Sequence, residues 1–377
     1  MAVSMSDANT SMHAGLVSPL PQNSTQLPQE FVEADQKHLS NAELESIEDP
    51  ELDFPVLDLS LLSGDKKHHD EVITAAAEAC QNWGFFQIQN HGIDQRLIEK
   101  CKEEALRMFQ LPLEAKKRCD RPPGTSFGYG SNTWVNQKVQ HWAESFHLQL
   151  KPMSNVPAMA SKLFPDQTSS QQFSSVVEEY METVQNLAIQ VVEILTEGLG
   201  LPPAYFSQHL QRERMVSMRL NFYPPCPEPS KAIGLRAHTD PHLITILHQD
   251  TVRGLQVQVA EKWVTVKPRP DCFVVNIGDI FQILSNTRYK SGLHRAVVNG
   301  QFQRLSMACF LNLPLDCVVA APPELITTDC PQKYRPFLWL EYLKHAYLYH
   351  PITGNDRHEK FFLKPSGDIP VAASSVH

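Results

Sequence analysis

The sequence predicts a mostly β protein with flanking helices, in which an antiparallel sandwich or barrel follows a mixed α/β N-terminal region. Three observations predict this. After Met215, short β-branched and aromatic runs succeed one another, among them "VSMRLNFY", "LITILH", "GLQVQV", "CFVVNIG" and "LSMACFLNL", each closed by turn residues. Ahead of Met215 the longer segments carry helical hydrophobic spacing. No internal repeat divides the 377 residues, a length that suits one large domain or two of ordinary size.

Residues 1–50 are rich in Ser, Asn, Gln, Pro and acids and poor in aromatics, and read as a flexible tail. Residues 51–205 form the mixed region. "FPVLDLSLL" is its first strand, and "DEVITAAAEACQNWG" is a helix stopped by Gly84. "FFQIQNHG" is the next strand, and "DQRLIEKCKEEALRMFQ" is an amphipathic helix closed by Pro112. "RPPGTSFGYGSNTWVNQ" is Gly-, Pro- and aromatic-rich without periodicity, the composition of a loop that can act as a lid. A long helix is expected near 171–198, ended by Gly-Leu-Gly-Leu-Pro-Pro. Residues 206–325 hold the β core, and 326–377 a C-terminal helix and tail.

Formal net charge is −9, so there is no basic excess to neutralise phosphates, and neither nucleic acid nor an anionic membrane is an expected partner. No apolar run is long enough to span a bilayer. The apolar stretch 14–20 is short and no basic residue precedes it, which is not a secretory signal. A cytoplasmic protein is expected, with the nucleus as a second compartment. The eight cysteines are scattered without Cys-x-x-Cys spacing and several lie in apolar runs, so they read as buried reduced thiols.

Three His-x-Asp tripeptides occur. His68-His69-Asp70 lies in a polar run that opens a helix, where Asp70 reads as a helix-start residue. His248-Gln249-Asp250 reads as a strand end and turn. His238-Thr239-Asp240 has a different context. Two His and one carboxylate on one face of a metal define the facial triad of non-haem Fe(II) oxygenases, which leaves positions open for reactants. Residues i and i+2 of a strand point the same way, so His238 and Asp240 can come from one strand end. A third ligand must come from a distant strand, and His294 in "YKSGLHRAV" is in place to supply it. Ten residues further, Arg304 and Ser306 share a face of the next strand. A guanidinium fork reads a carboxylate bidentately and a hydroxyl adds one bond, which suits the far end of a dicarboxylic 2-oxo acid.

With those residues in view, the sequence resembles the plant 2-oxoglutarate- and Fe(II)-dependent dioxygenases over nearly all of residues 50–350. "NWGFFQIQNHGI" is similar to the family's N-terminal signature and "LNFYPPCPEP" to its Asn-Tyr-Tyr-Pro-Pro-Cys segment, with Phe222 at the middle aromatic. The resemblance implies a double-stranded β-helix, or jelly roll. It implies iron ligands His238, Asp240 and His294, and 2-oxoglutarate held by Arg304, Ser306, Asn221 and Tyr223. Fe(II), 2-oxoglutarate and O2 are implied, with ascorbate in support.

Within that family the sequence most resembles the gibberellin oxidases. "ITILHQD" and "GDIFQILSNTRYKSGLHRAVVN" are similar to stretches of 20-oxidases and of 2-oxidases acting on C20 gibberellins. "RPPGTSFGYGSNTWVNQ" and "HWAESFHLQL" are closer to the latter. The implied reaction is hydroxylation of a diterpenoid carboxylic acid, a gibberellin or a precursor such as ent-kaurenoic acid, at C2, which inactivates or diverts the hormone. The alternatives are a 20-oxidase-type biosynthetic oxidation, or a flavonoid or auxin substrate. An apolar wall suits such a substrate, and Tyr129, Trp134, Phe146, Leu247 and Phe310 are its candidates, with Tyr129 foremost. Arg236, two residues before His238, departs from the family pattern; it reads either as a rim residue facing solvent or, by strand alternation, as one that faces the cavity and pairs with a substrate carboxylate.

Overall fold

The computed structural model describes residues 25–33, 54–122, 125–130, 140–150, 154–210, 215–348 and 355–363. The mixed region runs β1 (Val56–Asp58), α1 (Lys66–Asn82), β2 (Phe85–Gln89), α2 (Gln95–Phe109), α3 (Leu113–Lys117), β3 (Gly128–Tyr129), β4 (Glu144–Gln149), α4 (Val156–Leu163), α5 (Gln167–Gly198) and α6 (Ala204–Leu210). Then come β5 (Met215–Tyr223), β6 (Leu235–His238), β7 (Ile244–Gln249), β8 (Leu255–Val259), β9 (Lys262–Thr265), β10 (Phe273–Ile277), α7 (Asp279–Leu284), β11 (His294–Ala296) and β12 (Arg304–Asn312). β13 (Val318–Val319), β14 (Phe337–Leu338), α8 (Trp339–Leu348) and α9 (Asn355–His358) complete it.

Two sheets face each other, as the β pattern and the resemblance predict. The larger has the order β1-β2-β10-β7-β12-β5-β4-β3, and the smaller β6-β11-β8-β9. Alternation along the larger sheet divides its side chains between two environments. One face carries Phe86, Ile88, Val275, Ile246, Met307, Cys309, Leu220 and Met218, which join the helices in the main core, α5 among them through Val177, Tyr180 and Val184. The other face looks into the space between the sheets and carries Phe85, Leu247, Val274, Ala308 and Phe310.

Local chemistry explains several boundaries. Asp65 caps α1 by accepting the His68 amide at 3.0 Å. The expected helix-start role therefore belongs to Asp65; Asp70 lies inside the helix, 3.8 Å from Lys66 Nζ. Gly84 follows α1 with φ +69° and its position would bring a Cβ within 2.4 Å of the Lys290 carbonyl, so both the turn and the close approach require glycine. Asp250 accepts the Val252 and Leu305 amides at 2.9 and 2.6 Å, the strand-end turn expected of it.

Within the expected N-terminal tail, residues 25–33 are packed. Phe31 is buried edge-on against Trp142, with ring centroids 5.1 Å apart, in a cluster with Leu27, Tyr223, Ala296 and Val298. The Gln140 amide donates to Glu30 O at 2.7 Å and the Glu33 amide to Lys231 O at 2.8 Å. Composition pointed to disorder there because a few apolar side chains in a polar stretch leave no periodic signal. No described helix is long and apolar enough to cross a membrane.

Candidate metal centre

Antiparallel pairing of β6 with β11 sets His238 directly opposite His294. Asp240 follows two residues after the end of β6. Nε2 of each histidine approaches Asp240 Oδ1, at 3.6 Å from His238 and 3.8 Å from His294. Ligand atoms of the three residues lie within 4.8 Å of one another, and this is the cluster of metal-ligating type found among the described residues.

The surrounding hydrogen bonds aim these atoms. His238 Nδ1 donates to the Arg236 carbonyl at 2.7 Å, and His294 Nδ1 to the Gly292 carbonyl at 3.0 Å. That fixes the tautomer in which each Nε2 presents a lone pair to the centre. Asp240 Oδ2 accepts from Thr245 Oγ1 at 2.6 Å and Asn276 Nδ2 at 2.8 Å, so Oδ1 is turned toward the histidines. Burial pushes the His238 imidazole down to about 3, and His294 beside it adds to the effect. Burial alone would raise the Asp240 carboxyl, but His294 and His238 outweigh it and hold it below the ordinary carboxylate range. Neutral imidazoles and an ionised carboxylate are the forms that bind a metal ion, so the donor set fits iron.

Beside the triad, β12 pairs with β5 so that Arg304 faces Tyr223 and Ser306 faces Asn221. All four side chains belong to the inner face. Arg304 Nη2 donates to Gln249 Oε1 at 3.0 Å and its Nε to the Val252 carbonyl at 3.2 Å, while its guanidinium lies 5.2 Å from the Tyr223 ring centre. Asn221 Nδ2 reaches Ser306 Oγ at 3.4 Å. Gly254 makes room for this guanidinium: a Cβ there would stand 2.8 Å from Arg304 Cδ.

The expected apolar wall is partly redrawn. Leu247 and Phe310 do lie on the inner face, and Phe310 packs tilted against His242 with ring centroids 4.3 Å apart. Tyr129 and Phe146 do not. They pack on each other 5.0 Å apart on the helical side of the sheet, and Phe146 meets Phe109 of α2. Tyr129 donates its hydroxyl to Glu144 at 2.9 Å, and Lys116 Nζ pairs with that same carboxylate at 2.5 Å. The reason is the two-residue period of β4: with Phe146 turned outward, His147 is turned inward. Trp134 lies outside the described residues. Arg236 is paired with Glu33, its Nε and Nη2 reaching Oε2 at 2.9 and 2.8 Å, so its fork is engaged by the N-terminal segment.

Thr245, Asn276, Gln249, His147 and Arg219 were missed in the sequence. Thr245 and Asn276 did carry a signal, each being a lone polar residue in an apolar strand ("LITIL" and "CFVVNIG"). His147 stands opposite Arg219 in the β4–β5 ladder and near Phe310, with ring centroids 6.0 Å apart. Its Nδ1 faces the Ser126 carbonyl at 3.0 Å, and burial with Arg219 and Arg121 nearby drives its imidazole to the neutral form.

A His-Asp-His cluster at the mouth of a jelly roll, with an inward arginine and serine on the next strand, defines a dioxygenase that uses Fe(II) and 2-oxoglutarate. Comparison with known proteins agrees. Residues 215–313 match the 2OG-Fe(II) oxygenase superfamily, and 54–170 match the family described as non-haem dioxygenase in morphine synthesis N-terminal. Gibberellin 20 oxidase 1 of Arabidopsis thaliana is 38% identical over 84% of this chain and 83% of its own length. Jasmonate-induced oxygenase 2 of the same plant is 37% identical over 77% of this chain and 78% of its own. The crystal structure of JOX2 in complex with 2OG, Fe and JA superposes with a TM-score of 0.78 at 31% identity, covering 92% of this chain and 96% of that one. The rice dioxygenase for auxin oxidation gives 0.69 at 28% identity, covering 82% and 100%. The chain belongs to the 2OG-Fe(II) oxygenase superfamily, as a plant gibberellin-oxidase-like dioxygenase.

Proposed function

We propose that this dioxygenase oxidises a diterpenoid carboxylic acid of the gibberellin kind, and that its reaction is of the 20-oxidase type. The comparisons favour this over the C2 hydroxylation expected from the sequence, because gibberellin 20 oxidases recur among the relatives at about the same identity, 38% for a second Arabidopsis enzyme as well. His238, Asp240 and His294 would hold the iron, which supplies the activation of O2 when bound. Arg304 and Ser306 would read the distal carboxylate of 2-oxoglutarate, with Asn221 and Tyr223 beside it.

The observation that carries the substrate class is the composition of the inner face beyond the triad. Leu247, Ala308 and Phe310 provide an apolar wall, and Arg219 on β5 stands past it, its Nη2 3.3 Å from Ser145 Oγ. An apolar skeleton would pack on that wall with its carboxylate toward the guanidinium, while water is kept from the reacting carbon. C2 hydroxylation is the second reading, favoured by "HWAESFHLQL", whose His147 lies on this inner wall.

Purified protein with Fe(II), 2-oxoglutarate and O2 would be given C20 and C19 gibberellins, ent-kaurenoic acid, a jasmonate, a flavanone and indole-acetic acid. Succinate formation matched by oxidation of a C20 gibberellin at C20 supports the proposal. A product hydroxylated at C2 moves it to the second reading, and turnover confined to the non-diterpenoids refutes the substrate class.

A further inference from the structure

Two of the three metal-ligating side chains come from one short stretch, His238-Thr239-Asp240, which leaves β6 and runs without regular pairing toward β7. Strand geometry fixes His238. What fixes the next two residues is a set of contacts from the far C-terminal part of the chain.

Arg357, on α9, donates from Nη2 to the Thr239 carbonyl at 2.6 Å and also to Thr239 Oγ1. The same guanidinium lies 3.3 Å from Asp279 Oδ2, with the two side chains 2% and 0% exposed. Asp279 in turn gives its backbone N–H to the Asp240 carbonyl at 2.8 Å. The Thr239 carbonyl is therefore held by the Arg357 side chain, and the Asp240 carbonyl by the backbone of the residue with which Arg357 pairs. That pair is enclosed. Asp279 accepts from Ser291 Oγ at 2.7 Å and from Tyr342 OH at 2.9 Å, and His358 Nε2 lies 3.4 Å away. A fully buried carboxylate and guanidinium are costly to desolvate and persist where they pair with each other, so the pair is sited where its hydrogen bonds do something an apolar pair could not. Here they grip the backbone between two ligands.

We propose that Arg357 is a positioning residue for the metal: docking of residues 355–361 locks the Thr239 carbonyl, sets the relative orientation of His238 and Asp240, and so completes the metal site. The proposal rests on the assignment of iron to His238, Asp240 and His294, and is independent of the organic substrate.

The test uses the full-length chain and Co(II) as a spectroscopic probe, with dissociation constants and visible ligand-field bands read by titration. His238→Ala is the control for the site. Arg357→Met should weaken Co(II) binding by about 10- to 100-fold, the scale of losing an interaction that orients a ligand, with altered bands at saturation. Because Arg357→Met strands the Asp279 charge and can unfold the protein, the double variant Arg357→Met/Asp279→Asn is the decisive one. It removes both charges and leaves the Asp279 backbone contact, but cannot hold Thr239. Weak Co(II) binding by a double variant whose metal-free melting temperature matches the wild type supports the proposal. Wild-type affinity and bands in that variant, with binding abolished by His238→Ala, overturn it while leaving the metal site intact. Wild-type affinity in His238→Ala overturns the metal assignment and the positioning role together.

Discussion

Thr245→Val isolates one hydrogen bond at the metal centre. Valine keeps the volume and β-branching of threonine on β7 and removes only the hydroxyl, which donates to Asp240 Oδ2 at 2.6 Å. A hydrogen bond to a charged group contributes about 1.5–3 kcal/mol, so its full loss from the metal-bound state lowers affinity about 10- to 100-fold. The loss falls chiefly on that state because the metal requires Oδ1 to face the two imidazoles, whereas a metal-free carboxylate that has lost this donor can turn to other partners. Asn276 Nδ2 still holds the same oxygen at 2.8 Å, which places the single variant near the lower end, about 10-fold, and Thr245→Val/Asn276→Leu near the upper. Anaerobic Fe(II) titration gives the dissociation constants, and circular dichroism with thermal melting confirms that the fold is retained. An unchanged dissociation constant in a folded double variant would refute the claim that these two donors aim the carboxylate.

Gly254→Ala places a methyl 2.8 Å from Arg304 Cδ and 3.0 Å from the Val297 carbonyl; the guanidinium is displaced, and KM for 2-oxoglutarate should rise at least about 10-fold with Fe(II) affinity unchanged. Acid should destabilise the metal-free protein below the ordinary histidine value of 6.5 and down to about 3, the folded value of His238. Between those limits the unfolded chain takes up a proton that the folded chain does not, so stability falls as pH falls, and His248, lowered by burial to about 4, adds to it. Urea midpoints from pH 7 to pH 4 read this, and a flat profile contradicts it. Glu33→Gln releases Arg236 from its carboxylate partner. If the freed fork can turn inward, KM for an acidic substrate changes; Arg236→Ala with an unaltered substrate KM shows that it remains at the rim.

How much of this was legible depends on the range of the interaction. His238, His294, Arg304 and Ser306 stood out because each lies in a strand whose alternation fixes its direction, so types and spacing translate into one face, and Asp240 stood out by following His238 at the strand end two residues on. Phe146 was chosen for its apolar character, but the inward residue is its neighbour His147: β4 is buried on both faces, so hydrophobicity does not tell which of its side chains faces the cavity. Tyr129 was misplaced because the irregular stretch before it has no period, and its direction follows from pairing with Phe146, a tertiary fact. Residues 25–33 were hidden by composition. Arg357 offered no signal, being 118 residues from the Thr239 it holds.

The register of one short ladder ties these levels together. β11 pairs on one side with β6, His294 opposite His238, and on the other with β8, His294 opposite Val257 and Ala296 opposite Leu255. A slip of one residue would turn every side chain to the other face, moving His294 off the triad and burying Arg295 between the sheets. In the observed register Arg295 instead lies 4.2 Å from the Trp263 ring centre and donates to Gln256 Oε1 at 2.7 Å. Phe85 closes on His294 with ring centroids 5.2 Å apart, so apolar packing holds the imidazole from behind. The apolar residues that select this register are thus the ones that assemble the metal site. Substitutions at Val257 or Leu255 should lower metal affinity along with stability, although neither side chain is a ligand.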